Sequence, residues 1–128
     1  MVIRYLGVKE VLRIHHRMIT EYGGSHGVRD LGLLESAVAR PKAGYNEYEA
    51  YPTVYEKAAV LLHSLIKNHA FLDGNKRTAL MSCLTFLKRN RIVLKADHQE
   101  LICFVIDIAK DTVDEIGISA WLQTHSQG

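Results

Sequence analysis

A chain of 128 residues is the length of one ordinary domain and can bury about two-thirds of its unfolded surface, so its core needs no disulfide or metal. Apolar residues make up 48% and charged residues 23%, which excludes a disordered chain, and no apolar run reaches the length of a membrane span. A net charge of +2 is too small to predict nucleic-acid binding, and without a signal-peptide pattern we expect a cytoplasmic protein.

Apolar residues recur at spacings of three and four along most of the chain, which is the pattern of helices with one buried face. This pattern predicts six helices, over residues 8–22, 31–40, 54–69, 75–90 and 98–110 and in a last segment after Thr112. The predicted fold is therefore an all-α bundle of about six helices in a single domain over residues 1–128.

Capping residues support several of these boundaries. Asp30 is a predicted N-cap, and both Asp97 to Glu100 and Thr112 to Glu115 have the spacing of a capping box. The helix over 98–110 is apolar nearly all round, which predicts a central position. The apolar run 92–94 is either a strand fragment or extended packing.

The segment 41–53 separates the second and third predicted helices. It contains glycine, proline, asparagine and three tyrosines, so we expect a loop. Its length leaves open a role as a lid over a functional site.

Reactive side chains are concentrated between the third and fourth predicted helices, in the stretch His-Ala-Phe-Leu-Asp-Gly-Asn-Lys-Arg that runs from His69 to Arg77. Lys76 and Arg77 fall in the first turn of a helix, where the macrodipole is already positive and each cation costs a few tenths of a kcal/mol. That arrangement becomes favourable when an anion docks there. By helical angle, His69 and Lys76 both face the interior, and a buried lysine needs an anionic partner.

These side chains suit phosphoryl or nucleotidyl transfer. A neutral His69 could accept a proton from an attacking hydroxyl, although a helix C-terminus favours the imidazolium form. Asp73 could bind Mg²⁺ together with substrate phosphates, and Lys76 and Arg77 could neutralise the charge that develops on them. Gly74 would allow the turn between the two helices.

A basic run, Lys88-Arg89-Asn90-Arg91, ends the fourth predicted helix. It could contact phosphates, but a solvated helix end is the preferred interpretation because a charge run alone specifies no partner.

The stretch from His69 to Arg77 resembles the H-x-F-x-[D/E]-[G/A]-N-[G/K]-R motif of the Fic/Doc superfamily, and lysine at position 76 resembles its Doc (death-on-curing) branch. Residues 27–41 also resemble Doc proteins. The resemblance implies an all-helical toxin of a bacterial or phage toxin–antitoxin pair that uses ATP and Mg²⁺. It implies roles for six residues: His69 as base, Asp73 as metal ligand, and Gly74, Asn75, Lys76 and Arg77 in binding the nucleotide.

Within the superfamily, Fic members transfer AMP from ATP to a protein hydroxyl, whereas Doc members phosphorylate a threonine of elongation factor Tu and stop translation. Fic proteins have glycine at the position of Lys76 and a second arginine at the position of Leu80, so both departures favour the kinase. AMP transfer remains an alternative, as does a non-catalytic module that binds antitoxin or nucleic acid. The resemblance also implies an antitoxin whose disordered segment folds on binding, with DNA contacted only through that antitoxin.

Overall fold

Six α-helices account for most of the computed structural model, which describes residues 2–127. They are α1 (Val8–Tyr22), α2 (Leu31–Ala39), α3 (Val54–Asn68), α4 (Asn75–Arg89), α5 (His98–Ala109) and α6 (Glu115–Thr124). The predicted all-α class and the number of helices are therefore confirmed. No helix in residues 2–127 is both long enough and apolar enough to cross a membrane.

Helix α3 lies at the centre of the bundle and packs against α2, α4 and α6. Ten of its fifteen residues are buried, and Ala58 and Ala59 allow neighbouring helices to approach closely. The prediction that α5 is central was wrong, because Ile102 and Ile106 are 38% and 39% exposed. The apolar sequence of a helix does not show whether its side chains are buried in the core or line a surface cleft.

Short strands and one 3-10 turn connect the helices. The 3-10 turn Arg40–Lys42 spans the end of the second predicted helix and the start of the predicted loop, and the loop contains a hairpin of β1 (Gly44–Tyr45) with β2 (Tyr48–Glu49). Strand β3 (Val93–Leu94) pairs antiparallel with β4 (Ser126–Gln127), so the strand alternative for residues 92–94 is correct.

One predicted helix start was wrong. Asp97 does form the predicted capping box with Glu100 at the start of α5. Helix α6, however, begins after Asp114, whose carboxylate accepts the N–H of Gly117 at 2.8 Å. The Thr112 hydroxyl instead donates to the Asp107 carbonyl at 2.9 Å, on the last turn of α5, so it is not available as an N-cap.

Helices α1 and α4 run antiparallel, and this pairing positions the motif. At one end Arg89 of α4 forms an ion pair with Glu10 of α1 at 2.5 Å. At the other end Arg77 donates to the carbonyls of Met18 and Gly23, at the C-terminus of α1. The motif therefore lies where α1 ends and α4 begins.

Candidate active site

Two residues in left-handed backbone conformation delimit the loop between α3 and α4. His69 ends α3 with φ of +51°, and Gly74 precedes α4 with φ of +73°. A Cβ atom at Gly74 would lie 2.9 Å from the Cδ1 atom of Ile19. The left-handed backbone at position 74 therefore favours glycine, and a side chain there would have to displace the tip of Ile19.

The segment 27–30 braces this loop through backbone pairing. Val28 and Phe71 form an isolated antiparallel bridge. Three further bonds accompany it: from Leu72 N to Gly27 O at 3.1 Å, and from Arg29 N and Asp30 N to Ala70 O at 2.7 and 3.0 Å. The second segment that resembles Doc proteins, 27–41, thus begins with the residues that hold the motif loop in place.

Arg29 adds a side-chain contact to the same brace. Its Nε atom donates to the His69 carbonyl at 2.7 Å and its Nη2 atom to the Asn68 carbonyl at 3.0 Å. A cation is favourable at a helix C-terminus, where the last carbonyls have no intrahelical partner. The guanidinium consequently fixes the backbone of His69. The sequence prediction did not assign Arg29 a role, although residues 27–41 had been singled out by resemblance.

Asn75 is 5% exposed and uses its carboxamide to hold the loop from the α4 side. Its Oδ1 atom accepts the N–H of Phe71 at 3.0 Å, and its Nδ2 atom donates to the Phe71 carbonyl at 2.9 Å. The same Nδ2 atom lies 3.3 Å from Nδ1 of His69. The structure therefore gives the Asn75 side chain contacts with the loop and with His69.

His15 supports the loop from α1. Its ring stacks on Phe71 with centroids 3.8 Å apart, and its Nε2 atom lies 2.9 Å from the Asp73 carbonyl, to which it donates. Burial lowers the pKa of His15, so the ring is neutral at pH 7. The sequence gives no sign of this contact, because His15 and Asp73 are 58 residues apart.

The predicted inward orientation of His69 and Lys76 was wrong, because both side chains are exposed. The prediction for His69 assumed an ideal helix. Because the backbone of His69 has a positive φ, its side chain does not point in the direction that an ideal helix gives. Lys76 lies in the first turn of α4, at the end of the bundle where a surface cleft lies beside the helix.

Asp73 is an exposed carboxylate whose two oxygens are oriented by backbone donors. Oδ2 accepts the N–H of Ser25 at 3.2 Å and Oδ1 that of Gly74 at 2.9 Å. These bonds, together with the charge of Arg77, lower the pKa of Asp73, so it is ionised at neutral pH. Each oxygen retains a further lone pair for a cation.

A cleft of about 340 Å³ joins these groups. One side is formed by Asp73, Gly74, Asn75, Lys76 and Arg77, and the other by Leu80, Ile102, Val105 and Ile106. His69 is not among the lining residues, but it contacts one of them, Asn75. The apolar wall supplied by α5 was not predicted, since the sequence places those residues far from the motif.

Among the acidic residues in 2–127, Asp73 alone lines this cleft and could bind a metal ion there. No cluster of three or more His, Cys, Asp or Glu side chains in residues 2–127 could hold a metal ion. A single exposed carboxylate fits Mg²⁺, which binds through one or two carboxylates and substrate phosphates. It does not fit a structural zinc site, which needs four protein ligands.

Comparison with known proteins defines the class to which this fold and loop belong. The model of the Fic/DOC family matches residues 5–87, more than half of the chain and including the whole motif. The chain therefore belongs to the Fic/Doc family.

Two relatives are similar over most of the chain. One, named Toxin Doc, from Mycolicibacterium smegmatis, is 48% identical over 95 residues, which cover 74% of this chain and 68% of the relative. Another, named Protein kinase doc, from Escherichia phage P1, is 34% identical over 122 residues, which cover 95% of this chain and 93% of the relative.

Proposed function

We propose that this protein is the toxin of a toxin–antitoxin pair and transfers the γ-phosphoryl group of ATP to a threonine of elongation factor Tu, blocking translation in the cytoplasm. The observation that carries the proposal is the exposed ammonium of Lys76, in one cleft with Asp73 and Arg77 at the start of α4. The names of the two relatives, Toxin Doc and Protein kinase doc, support the toxin and kinase parts of this proposal.

The cleft suits a nucleoside triphosphate in both size and polarity. Its volume of about 340 Å³ lies in the usual range of small-molecule sites. The intrahelical bonds of α4 begin with Thr78 N to Gly74 O, so the preceding N–H groups at the helix start can bind phosphate oxygens beside Lys76 and Arg77. The apolar wall formed with Leu80 and α5 would pack against the nucleoside.

Asp73 would hold Mg²⁺ against the phosphates. Its hydrogen bonds from Ser25 and Gly74 keep the carboxylate ionised and fix its direction. When bound, the metal ion supplies positive charge to the phosphate oxygens.

In the proposed transfer, the threonine hydroxyl oxygen forms a bond to the γ-phosphorus. The bond from that phosphorus to the oxygen bridging the β- and γ-phosphates breaks, ADP leaves, and the hydroxyl proton passes to a ring nitrogen of His69. Lys76 and Arg77 stabilise the charge on the transferring group. Arg29 and Asn75 keep His69 in position through its carbonyl and its ring.

Leu80 supports phosphoryl transfer over AMP transfer. It lies one helical turn beyond Lys76, on the same face of α4 and in the apolar wall of the cleft. A leucine cannot bind the phosphate that an arginine would hold at that position, and Lys76 would crowd the phosphate path where Fic proteins have glycine. AMP transfer is therefore the second candidate.

Incubation with elongation factor Tu, Mg²⁺ and ATP labelled at either the γ- or the α-phosphate tests the proposal. We expect label in the factor from γ-labelled ATP only. Label from α-labelled ATP would transfer the assignment to AMP transfer. His69→Ala, checked for a native unfolding transition, should abolish labelling and toxicity together. Retained toxicity in that variant would favour a non-catalytic binding module instead.

An antitoxin is the other proposed partner. A disordered antitoxin segment would fold against this chain, and the antitoxin would bind DNA and link the toxin to it. The relative named Toxin Doc supports this pairing.

A further inference from the structure

A second surface of strong positive charge lies along α1 and the C-terminal half of α4, and none of the residues that line it lines the candidate active-site cleft. It consists of six exposed cations, here called the basic surface: Arg4, Arg13, Arg17, Lys88, Arg89 and Arg91. Three adjoining surface grooves contain these residues, and Arg89 lines all three. The cations of the N-terminal segment, α1 and the end of α4 therefore form one continuous surface.

The charge of the basic surface contrasts with that of the remaining chain. The chain has 16 Lys and Arg against 14 Asp and Glu, and Glu10 is the one carboxylate in residues 2–127 that lines these grooves. The basic surface therefore has six cations and one acid, which leaves ten cations and thirteen acids elsewhere. Glu10 is already paired with Arg89 at 2.5 Å, and the other five cations form no ion pair within residues 2–127.

A solvated helix end explains only part of this surface. Lys88 and Arg89 lie in the last turn of α4, where the helix dipole favours cations. Arg13 and Arg17 lie in the middle of α1, four residues apart, where two like charges destabilise a helix by a few tenths of a kcal/mol. Neither guanidinium forms an ion pair within residues 2–127. Glu10 lies three residues before Arg13 and Glu21 four residues after Arg17, which offsets part of this repulsion, but neither carboxylate forms an ion pair with these arginines within residues 2–127.

We propose that the basic surface binds the phosphodiester backbone of a nucleic acid, separately from the transfer reaction in the cleft. Five of the six cations are arginines, whose planar guanidinium groups bind phosphate oxygens in pairs. They follow two antiparallel helices, so a linear polyanion can contact several of them at once. The three grooves share no lining residue with the cleft, and the groove around Arg17 ends at Met81, next to Leu80 of the cleft wall.

The composition of the surface favours a nucleic acid over an acidic protein. A protein interface has a buried centre rich in aromatic and large apolar residues, surrounded by a polar rim. Here the apolar lining residues of the groove around Arg17 and Lys88 are the half-buried Met81 and Leu84. None of the residues that line the three grooves is aromatic, so the expected contacts are with the backbone of a duplex and not with stacked single-stranded bases.

Fluorescence anisotropy with a labelled 20-base-pair duplex of mixed sequence, without ATP or Mg²⁺, tests the proposal. The measurement uses DNA and RNA duplexes and a labelled poly-glutamate peptide, each over a series of salt concentrations. We expect binding to a duplex that weakens steeply with salt. Arg13→Gln with Arg17→Gln should weaken binding roughly tenfold or more and reduce the slope of log affinity against log salt by about 1.8.

The control variant, Lys95→Gln with Lys110→Gln, removes the same charge from two exposed lysines that line none of the three grooves. It should leave both the affinity for the duplex and the slope of log affinity against log salt unchanged. Binding of the DNA duplex, the RNA duplex or both supports the proposal and identifies the source of the phosphates. The proposal is overturned if neither duplex binds, if both double variants lose affinity equally, or if poly-glutamate binds as tightly as the duplexes. Labelling of elongation factor Tu by the Arg13/Arg17 variant should match wild type, so this test is independent of the proposed reaction.

Discussion

The Nδ1 atom of His69 lies 3.3 Å from the Nδ2 atom of Asn75, so the proposed base and the first residue of α4 are in direct contact. The two bonds between Asn75 and Phe71 fix the orientation of the carboxamide and aim an N–H at the ring. A neutral His69 that accepts this N–H has its lone pair at Nδ1 and its proton on Nε2. Proton transfer to His69 therefore either displaces the Asn75 amide from Nδ1 or requires the ring to turn.

Asn75→Ala should impair the reaction more than the fold. The variant loses both bonds to Phe71 and the contact with His69, so misplacement of the base should reduce phosphoryl transfer about 100-fold. The unmade bonds should lower the free energy of unfolding by about 1–3 kcal/mol. Initial rates with labelled ATP and urea unfolding measure the two effects.

Asn90→Ala is a matched control for that variant. Asn90 is also buried, exchanges bonds with the backbone of Arg4 and donates to the Phe86 carbonyl, at the far end of α4. A similar loss of stability with a nearly normal rate is expected. Equal rates in the two variants would show that Asn75 acts through general stability only.

Arg29→Ala tests the brace on the His69 backbone. Without the bonds to the Asn68 and His69 carbonyls, the position of the ring becomes less fixed, and kcat should fall about tenfold while KM for ATP is unchanged. Arg29→Lys keeps one donor and should recover part of the rate. A change confined to KM would mean that Arg29 contributes to nucleotide binding instead.

His15→Phe separates packing from hydrogen bonding and changes the response to acid. Phenylalanine retains the stack on Phe71 but removes the donor to the Asp73 carbonyl, so a higher Mg²⁺ concentration should be needed for half-maximal rate.

Burial lowers the pKa of His15 in the folded state, so the unfolded chain binds the proton more readily and wild type loses stability as the pH falls below 6.5. Urea unfolding of His15→Phe should show a weaker loss over that range. If the free energy of unfolding fell equally with pH in the variant and in wild type, the acid sensitivity could not be assigned to His15.

Lys76→Ala should change activity and stability in opposite directions. A cation in the first turn of α4 opposes the helix dipole, so its removal should raise the free energy of unfolding by about 0.5 kcal/mol. Loss of a phosphate contact should lower the transfer rate tenfold or more, since charged hydrogen bonds contribute about 1.5–3 kcal/mol. Lys76→Arg should retain much of the rate. A variant that is both less stable and fully active would show that Lys76 has a structural role.

Helical periodicity predicted the fold well because each helix has an apolar face and most have a capping residue. It did not predict which helix is central. Helix α3 is surrounded because Ala58 and Ala59 let other helices pack closely, whereas Ile102 and Ile106 of α5 face a cleft. The sequence pattern records apolar side chains but not the neighbours that cover them.

The motif residues could be identified from sequence, but their orientations could not. Projection on an ideal helix fails at His69, where the backbone becomes left-handed. The supports from Arg29 and His15 come from segments 40 and 58 residues away from their partners in the loop, so local spacing carries no sign of them. Likewise, the run 88–91 gave no indication that Arg13 and Arg17 lie beside it.

The mass of intact elongation factor Tu after incubation with this protein, ATP and Mg²⁺ tests the central claim most directly. We predict an increase equal to one phosphoryl group with wild-type protein and none with folded His69→Ala. An increase equal to one adenylyl group, or no change with folded wild-type protein, would contradict the proposed phosphotransfer to this factor.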